Sequence, residues 1–411
     1  MQTLTSHSAK TNYYIELEER HGAHNYHPLP VVLNRGKGVF VWDVNDKRYY
    51  DFLSGYSAIN QGHCHPEIIK VFIEQAQKLT LTSRAFYNDQ LGEFEKYITD
   101  LFGYDKVLPM NTGVEAVETA IKLCRRWGYQ VKGIAENKAK IIVCRNNFHG
   151  RTTTVISFTS EESSRKDFGP FTEGFETIAY NDLTALQKAL EDKNVAGFLV
   201  EPIQGEAGVV VPDEGYLAKA KELCAHANVL FMADEIQTGL CRTGKMLACD
   251  HENVHPDILI LGKALSGGTM PVSAVLAADE IMMTIKAGDH GSTYGGNPLA
   301  CKVAIVSLEV LLKEKMADNA ASMGEIFRNE LKKINNPFIK IIRGKGLLNA
   351  IVIDHSNKDA AWDLCLALKE NGLIAKPTHG DRIRFAPPLV INEQQIKECV
   401  DIIKRSLAVL N

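Results

Sequence analysis

Short apolar runs alternate with longer helix-like stretches between about residues 60 and 300 of the chain. The runs predict strands at 140–144, 195–202, 229–235, 257–262 and 272–277. Several are apolar throughout, which is typical of strands covered by helices on both faces of a mostly parallel sheet. Ligands bind at the carboxyl ends of the strands in such a sheet. The pattern therefore predicts an α/β fold with its site where these runs end.

The two ends of the chain follow other patterns. Residues 38–53 place β-branched and aromatic runs on either side of a turn at 44–47, which predicts a β-hairpin. After Asn297 a long amphipathic stretch predicts helix, and strands of a smaller α+β domain are predicted within 340–354, 372–377 and 381–389. We expect three parts: an N-terminal segment and hairpin (1–53) that packs with the small domain, a large domain (54–300) and the small domain (301–411).

Composition narrows the class of protein. The chain has 411 residues, of which 45% are hydrophobic, so it can bury a large core. A net charge of -4 without a basic block argues against nucleic acid and anionic membranes as partners, and no apolar run is long enough to span a bilayer. Nine scattered cysteines are typical of reduced thiols, and the N-terminal stretch resembles neither a signal nor a transit peptide. We expect a cytoplasmic enzyme that acts on small molecules.

Charged residues stand at the ends of two successive apolar runs. Asp234 and Glu235 end one run, and Lys263 ends the next, 29 residues after Asp234. A buried carboxylate needs a partner, although Asp234 could equally cap the following turn. Burial lowers the pKa of a lysine and makes its amine a nucleophile suited to aldehydes. Pyridoxal phosphate requires such a lysine, with a carboxylate beside its pyridine nitrogen.

A phosphate site could be supplied by two glycine-containing segments. A polar turn enters a helix at Gly113 and Val114, where free N–H groups suit a phosphate, although the same turn is ordinary helix-capping chemistry. The loop at 290–300 offers the hydroxyls of Ser292 and Thr293. Each segment by itself is a weak signal.

Ring-stacking and carboxylate-binding residues are also present. Phe148 could stack on a flat ring, and Arg151 could bind a substrate carboxylate or form an ordinary surface ion pair. Glu201 and Glu206 follow another apolar run, and one of them could hold Arg384, whose apolar neighbours call for a carboxylate partner.

Taken together, these segments resemble the class III aminotransferases, which are pyridoxal phosphate (PLP) enzymes of the aspartate aminotransferase fold, also called fold type I. The resemblance covers essentially the whole chain and is most specific in "DEIQTGLCRTG" followed by "PDILILGKALSGG". It implies a large domain with a mostly parallel mixed sheet covered by helices, plus a smaller α+β domain. Within the family, "GAHNYHPLPVVL", "NNFHGRT" and "VEPIQGEAGV" are most similar to the members that act on ornithine.

The resemblance also implies a role for each site residue. Lys263 would hold the cofactor aldehyde and shuttle the proton, with Asp234 as partner of the pyridine nitrogen. The other cofactor contacts would be Gln237 at the ring hydroxyl, Phe148 and Ile236 on the ring faces, Gly113 and Val114 at the phosphate and, across a dimer interface, Ser292 and Thr293. Substrate contacts would be Tyr26, Tyr56 and Arg151 for ornithine, and Arg384, released from Glu206, for 2-oxoglutarate.

The implied reaction moves the δ-amino group of L-ornithine to 2-oxoglutarate, giving glutamate and glutamate 5-semialdehyde, which cyclises to pyrroline-5-carboxylate. Ornithine breakdown, within arginine metabolism, and proline biosynthesis share this step. The family is at least homodimeric, and a higher oligomer is possible. One departure is Cys241, where the family commonly has glycine, since cysteine adopts left-handed backbone angles less readily.

Other functions remain open from the residues alone. The cofactor could serve acetylornithine, 4-aminobutyrate or lysine ω-amino transfer, or a mutase that needs no keto acid. The "GHCHP" segment at 62–66 is too compact to ligate one metal ion easily, so we expect a loop there and no metal. A dinucleotide-binding domain would need a G-x-G-x-x-G fingerprint after the first strand, and the sequence has none.

Overall fold

The computed structural model describes residues 8–410. The strands in this range are β1 Leu33–Lys37, β2 Phe40–Asp43, β3 Arg48–Asp51, β4 Lys106–Met110, β5 Lys140–Cys144, β6 Phe175–Ile178, β7 Val195–Val200, β8 Leu230–Asp234, β9 Ile258–Leu261, β10 Ser273–Ala277, β11 Ile339–Lys345, β12 Leu348–Ile353, β13 Leu373–Ile374, β14 Lys376–Thr378 and β15 Arg382–Phe385.

The helical elements alternate with these strands through most of the chain. They are α1 Ala9–His21, the single turn α2 Ser54–Ser57, α3 Pro66–Lys78, α4 Leu91–Phe102, α5 Gly113–Gln130, α6 Thr153–Ile156, α7 Leu183–Ala189, α8 Tyr216–His226, α9 Asp279–Met282, α10 Pro298–Lys313, α11 Met316–Lys332, α12 Ala360–Glu370 and α13 Glu393–Ser406. None of the helices between residues 8 and 410 has the length and apolar character needed to cross a membrane.

A seven-stranded sheet forms the centre of the molecule, in the order β4-β10-β9-β8-β7-β5-β6. The strands from β9 to β6 pair in parallel, and β10 pairs antiparallel with both β9 and β4. Strands β7, β8, β9 and β10 are buried at every residue because helices pack on both faces. The predicted α/β class with a mostly parallel mixed sheet is confirmed. The carboxyl ends of β5, β7, β8 and β9 meet at one edge.

Two smaller sheets connect the ends of the chain. One has the order β1-β2-β3-β13, in which the N-terminal hairpin pairs in parallel with Leu373–Ile374. The other has the order β11-β12-β15-β14 and carries Arg384. The domain limit expected at residue 300 falls inside α10, which packs against α3 and α4. The division into three parts therefore stays a prediction, and residues 1–7 and 411 lie outside the described residues.

The hairpin turn is fixed by one aspartate. The Asp43 carboxylate accepts hydrogen bonds from the backbone N–H groups of Asn45 and Lys47, at 2.8 and 3.0 Å, and from the Tyr49 hydroxyl at 2.9 Å. A side chain that satisfies its own turn in this way is typical of Asx turns. The predicted β-hairpin is confirmed.

Three strands lie outside the strands that the hydrophobic pattern predicts, and all three are edge strands. They are β1, β4 and β6. β4 contains Pro109, and β1 and β6 are mostly exposed or half-buried. Edge strands pair on one side only and tolerate proline and polar residues, so they lack the apolar run that marks a central strand.

Candidate active site

Two strand ends bring Asp234 and Lys263 to one cavity. Asp234 ends β8, which pairs in parallel with β9, and Lys263 begins the turn two residues after β9 ends. The cavity has a volume of about 190 Å³. Its other lining residues are Gly113, Val114, Phe148, His149, Gly150, Glu201, Glu206, Ile236, Gln237 and Thr238. The structure thus assembles most of the residues that the sequence assigns to the cofactor.

Asp234 is buried and has two hydrogen-bond partners. His149 Nδ1 lies 2.7 Å from its Oδ2, and the Ile236 N–H donates to its Oδ1 at 3.1 Å. The carboxylate therefore does cap the following turn, one of the two roles left open from the sequence. Burial alone would lower the pKa of His149, but the hydrogen bond and charge of Asp234 outweigh burial and raise it. The imidazole behind Asp234 fixes the orientation of that carboxylate.

Lys263 lies in a strained turn and faces the cavity. Its φ angle is +43°, which is uncommon for a residue with a side chain. No hydrogen bond or ion pair within residues 8–410 involves its amine. Burial lowers the pKa of this amine, opposed by the charge of Glu206 and reinforced by that of Arg384. A lowered pKa leaves more of the amine unprotonated and able to attack a carbonyl carbon.

The N-terminus of α5 has unused hydrogen-bond donors. Thr112 and Glu115 form a reciprocal capping box, in which Glu115 Oε2 accepts from Thr112 N at 2.6 Å and Thr112 Oγ1 accepts from Glu115 N at 3.4 Å. The next N–H groups, those of Gly113 and Val114, belong to the first helical turn and have no intrahelical acceptor. Both residues line the cavity. These donors suit a phosphate dianion.

The hydroxyls of Ser292 and Thr293 lie outside the cavity of this chain. Ser292 Oγ accepts a hydrogen bond from Asn111 of the same chain at 2.8 Å, and neither Ser292 nor Thr293 lines the cavity. Their service to the phosphate of a neighbouring subunit stays a prediction.

A second charged pair lies on the far side of the cavity. Arg384 Nη1 is 2.5 Å from Glu206 Oε1, and Arg384 is 2% exposed. Gln237 donates to Glu206 Oε1 at 3.1 Å and accepts from Arg384 Nη1 at 3.3 Å. Burial would raise the pKa of Glu206, but the Arg384 charge outweighs burial and lowers it to about 2. The pairing proposed from the sequence is therefore present in the structure.

Tyr56 lies over this pair on an unusual backbone. All four residues of α2 have positive φ, namely 49° at Ser54, 56° at Gly55, 59° at Tyr56 and 72° at Ser57. L-residues avoid left-handed turns because the side chain crowds the following carbonyl. The Asp51 carboxylate anchors the start of the turn by accepting from the N–H groups of residues 53 and 54, both at 2.9 Å. The turn brings the Tyr56 ring to 5.4 Å from the Arg384 guanidinium.

A wider opening of about 420 Å³ adjoins the cavity and shares Phe148, Gly150 and Glu206 with it. Arg151 lines this opening, donates to Ser164 Oγ at 3.3 Å and has no acidic partner among the described ion pairs. A surface ion pair, the ordinary alternative for Arg151, is therefore absent from residues 8–410. Tyr26 is 65% exposed and outside both cavities, with its ring 5.8 Å from Lys376 Nζ.

Similarity to known proteins identifies the family. The sequence profile described as aminotransferase class-III matches residues 21–407. The chain belongs to the class III aminotransferases. The mitochondrial ornithine aminotransferase of Drosophila melanogaster is 61% identical over 99% of this chain and 94% of its own.

Solved structures agree with this class III assignment. An ornithine aminotransferase from Toxoplasma gondii is 50% identical, covers 97% of this chain and 94% of its own, and superposes with a TM-score of 0.96. An acetylornithine aminotransferase from Elizabethkingia anophelis is 60% identical, with 97% and 99% covered and a TM-score of 0.89. The fold type I class and the PLP cofactor that the resemblance implies are thereby confirmed for this aminotransferase.

The residues of this class III site fit the chemical groups of PLP. Lys263 supplies an amine without a partner for the aldehyde, and Asp234, hydrogen-bonded to His149, supplies a buried carboxylate for the pyridine nitrogen. The free N–H groups at the start of α5 match the phosphate. When bound, the cofactor supplies an aldehyde that captures primary amines and a ring that withdraws electrons. Gln237 lies close to the backbone of the neighbouring loop, because a Cβ at Gly205 would meet Gln237 Oε1 at 1.6 Å.

The aminotransferase site also contains residues to which sequence reasoning gave no cofactor role. His149, Gly150, Glu201 and Thr238 line the cavity. His149 follows Phe148 directly, but its contact with Asp234 spans 85 residues and depends on the sheet register. Glu201 accepts from the N–H groups of Phe148 and Gly205, at 2.8 and 3.3 Å, and burial raises its pKa to about 7.

Glu201→Gln is expected to make stability less dependent on pH. Because the pKa of Glu201 rises on folding from its ordinary 4.5 to about 7, wild-type stability falls as pH rises between these values. We expect the free energy of unfolding of the variant, taken relative to that of wild type, to rise by about 2 kcal/mol from pH 5.5 to pH 8.5. Urea unfolding of the cofactor-loaded proteins at both pH values measures this difference. The exposed Glu191→Gln is the control, and an equal difference at both pH values would contradict the expectation.

Proposed function

We propose that this class III aminotransferase is an ornithine δ-aminotransferase. It transfers the δ-amino group of L-ornithine to 2-oxoglutarate and forms glutamate and glutamate 5-semialdehyde, which cyclises to pyrroline-5-carboxylate. The observation that carries the proposal is the Glu206–Arg384 pair at 2.5 Å beside the cavity that Lys263 lines, with Arg151 at the opening without an acidic partner.

The neutralised pair favours an uncharged carbon chain next to Lys263. Arg384 would otherwise attract a substrate carboxylate to the reacting carbon. With Glu206 bound to Arg384, the carboxylate of ornithine goes to Arg151 at the opening, and the terminal amine reaches Lys263. Tyr26 and Tyr56 offer hydroxyls to the α-amino acid end of the same substrate. Lys263 then moves the proton that leaves the δ-carbon.

The second half-reaction needs the opposite arrangement. 2-Oxoglutarate has a carboxylate directly beside its keto carbon and another at the far end of its chain. Release of Arg384 from Glu206 supplies a cation for the first, and Arg151 supplies a cation for the second. The partly exposed Glu206 side chain, at 22%, has room to turn away without being buried unpaired.

The same proposal includes the assembly and location of the protein. A homodimer, or a larger oligomer built from it, is supported by Phe86 and Tyr87, which are 72% and 105% exposed, and by the position of Ser292 beside the α5 N-terminus. Nine unpaired cysteines suit a reducing compartment such as the cytoplasm. The Drosophila relative is named mitochondrial, so imaging a fluorescent fusion in the source cells decides between the two locations.

Acetylornithine is the competing substrate, because a structure at 60% identity has that name. A steady-state assay with 2-oxoglutarate and ornithine, N-acetylornithine, 4-aminobutyrate or lysine decides, with pyrroline-5-carboxylate trapped as product. We expect kcat/KM to be highest for ornithine. A higher value for N-acetylornithine, or turnover without any keto acid, would overturn the proposal.

Tyr56→Phe tests the tyrosine hydroxyl at this site. We expect kcat/KM for ornithine to fall about 10-fold, since one hydrogen bond to a charged group is lost while the ring stays over Arg384. Steady-state kinetics measure the fall. Tyr97→Phe in α4, which lines neither the cavity nor the opening, is the control. Unchanged ornithine kinetics in Tyr56→Phe would remove Tyr56 from the substrate contacts.

A further inference from the structure

Arg242 is a fully buried arginine on the loop that follows β8. Its Nε and Nη2 donate to Asn60 Oδ1 at 3.1 and 2.5 Å, and its Nη1 donates to the carbonyls of Leu347 and Pro387 at 3.0 and 2.6 Å. Burial lowers its pKa to about 9, so it stays protonated at neutral pH. No ion pair within residues 8–410 includes it, and neutral oxygens are the acceptors of all four bonds.

Burying the Arg242 guanidinium costs free energy that simple packing of the core would not require. The Asp51 carboxylate acts on this charge through space but accepts none of its hydrogen bonds, so the several kcal/mol of solvation that the guanidinium loses are recovered only in part. An apolar side chain of similar volume would fill the same space without that loss. The four directed bonds therefore indicate a role in geometry.

The guanidinium connects three separate chain segments. Asn60 also donates to the Leu240 carbonyl at 2.7 Å and accepts from the Leu389 N–H at 2.8 Å. The Leu347 N–H returns a bond to the Arg242 carbonyl at 3.0 Å. The segments at Asn60 and Pro387 are thus bonded to the arginine and to each other, and the segment at Leu347 is bonded to both the side chain and the backbone of Arg242. A planar fork of five donors suits this junction, and an ammonium does not.

Two of these segments, and the loop of Arg242 itself, also deliver a residue to the active site. Asn60 follows Tyr56 by four residues, Arg242 follows Gln237 by five, and Pro387 follows Arg384 by three. The junction therefore fixes the backbone from which Arg384 reaches Glu206. The positive charge of Arg242 also acts on Arg384, and this repulsion favours a paired Arg384 over an unpaired one.

We propose that Arg242 is a positioning residue for Arg384. It fixes the strand end that carries Arg384 at the distance where the guanidinium can bind either Glu206 or the carboxylate beside the keto carbon of a dicarboxylate. The inference rests on the proposed function, because it assigns Arg384 to the 2-oxoglutarate half-reaction. Loss of Arg242 would then weaken dicarboxylate binding more than it affects ornithine.

Arg242→Lys tests this role, because lysine keeps the charge but cannot bond all four positions. We expect KM for 2-oxoglutarate and the Kd of glutarate, a dicarboxylate without the keto group, each to rise at least about 10-fold. The rate of the ornithine half-reaction should stay within about 3-fold of wild type. Single-turnover kinetics and calorimetry on the cofactor-loaded protein measure these quantities.

Arg328→Lys is a matched control. Arg328 on α11 donates to the Gly346 carbonyl and to Asn349 Oδ1, at 2.9 and 2.8 Å, so it contacts the same turn as Arg242 but not Pro387. Thermal unfolding of both variants reports the loss of stability. We expect Arg328→Lys to be destabilised with the ratio of the two half-reactions unchanged.

The positioning role would be overturned if Arg242→Lys slowed both half-reactions equally. It would also be overturned if Arg328→Lys slowed the 2-oxoglutarate half-reaction selectively. If Arg242→Lys does not fold, Asn60→Ser decides, since it removes the acceptor that Nε and Nη2 share, together with the Asn60 bond to Leu240, and leaves Arg242 in place. We expect KM for 2-oxoglutarate to rise about 3-fold while the ornithine half-reaction is unchanged. An unchanged ratio of the two half-reactions would overturn the positioning role of Arg242. Wild-type protein inactive with ornithine and 2-oxoglutarate would instead refute the proposed function.

Discussion

Lys263→Ala is expected to lower turnover at least about 10⁴-fold, because the variant loses both the amine that holds the cofactor and the base that moves the proton. The cavity contains no other lysine, so no neighbouring side chain replaces it. The absorption band that the wild-type protein acquires with PLP in the visible range should shift or disappear. Single-turnover kinetics and the spectrum check the two effects separately.

The exposed Lys286→Ala is the control for Lys263→Ala, because it removes an ammonium without touching the site. It should keep both the spectrum and the rate of the wild type. Turnover within 10-fold of wild type in Lys263→Ala would show that the amine is dispensable, and it would contradict the assignment of the site.

Glu206→Gln is expected to shift the preference of the enzyme from ornithine to glutamate as the amine donor. With the carboxylate gone, Arg384 stays free beside the reacting centre and attracts carboxylates in both half-reactions. We expect kcat/KM for the ornithine half-reaction to fall about 100-fold, while the glutamate half-reaction stays within a few-fold of wild type. Single-turnover rates with each amino acid measure the ratio.

The ratio of the single-turnover rates with ornithine and glutamate is the internal control for Glu206→Gln. A variant that merely folds less well loses active protein for both amino acids in proportion, which leaves the ratio unchanged. A proportional loss would therefore contradict the switch, and it would leave the Glu206–Arg384 pair with a structural role only.

The chemistry of the site could be predicted from the sequence because its residues stand at the ends of apolar runs. The central strands are buried on both faces, so each ends abruptly where a charged residue appears, as β8 does at Asp234. The buried pair of Glu206 and Arg384 could be proposed for a similar reason, since an arginine among apolar neighbours requires an acid. The substrates could be predicted only from the family resemblance, because Lys263 indicates the cofactor and not the substrate.

Contacts between distant segments could not be predicted in the same way. The bond from His149 to Asp234 and the junction at Arg242 depend on strand register and on how the C-terminal sheet lies against the large sheet. Backbone strain could be anticipated at Cys241 but not at the residue before it. Cys241 has a φ of +73°, the left-handed conformation for which the family commonly uses glycine, and Leu240 before it has +55°. Local propensity disfavours both, so tertiary contacts impose them.

At the left-handed turn Ser54–Ser57, the role in substrate recognition proposed for Tyr56 opposes backbone stability. Only one of the four residues of this turn is glycine, the residue that accepts such angles without strain. A glycine in place of Tyr56 would relax the backbone and remove the ring beside Arg384, so selection for heat resistance and selection for ornithine oppose each other at this position. Thermostable variants chosen without an activity screen should therefore accumulate changes at this turn.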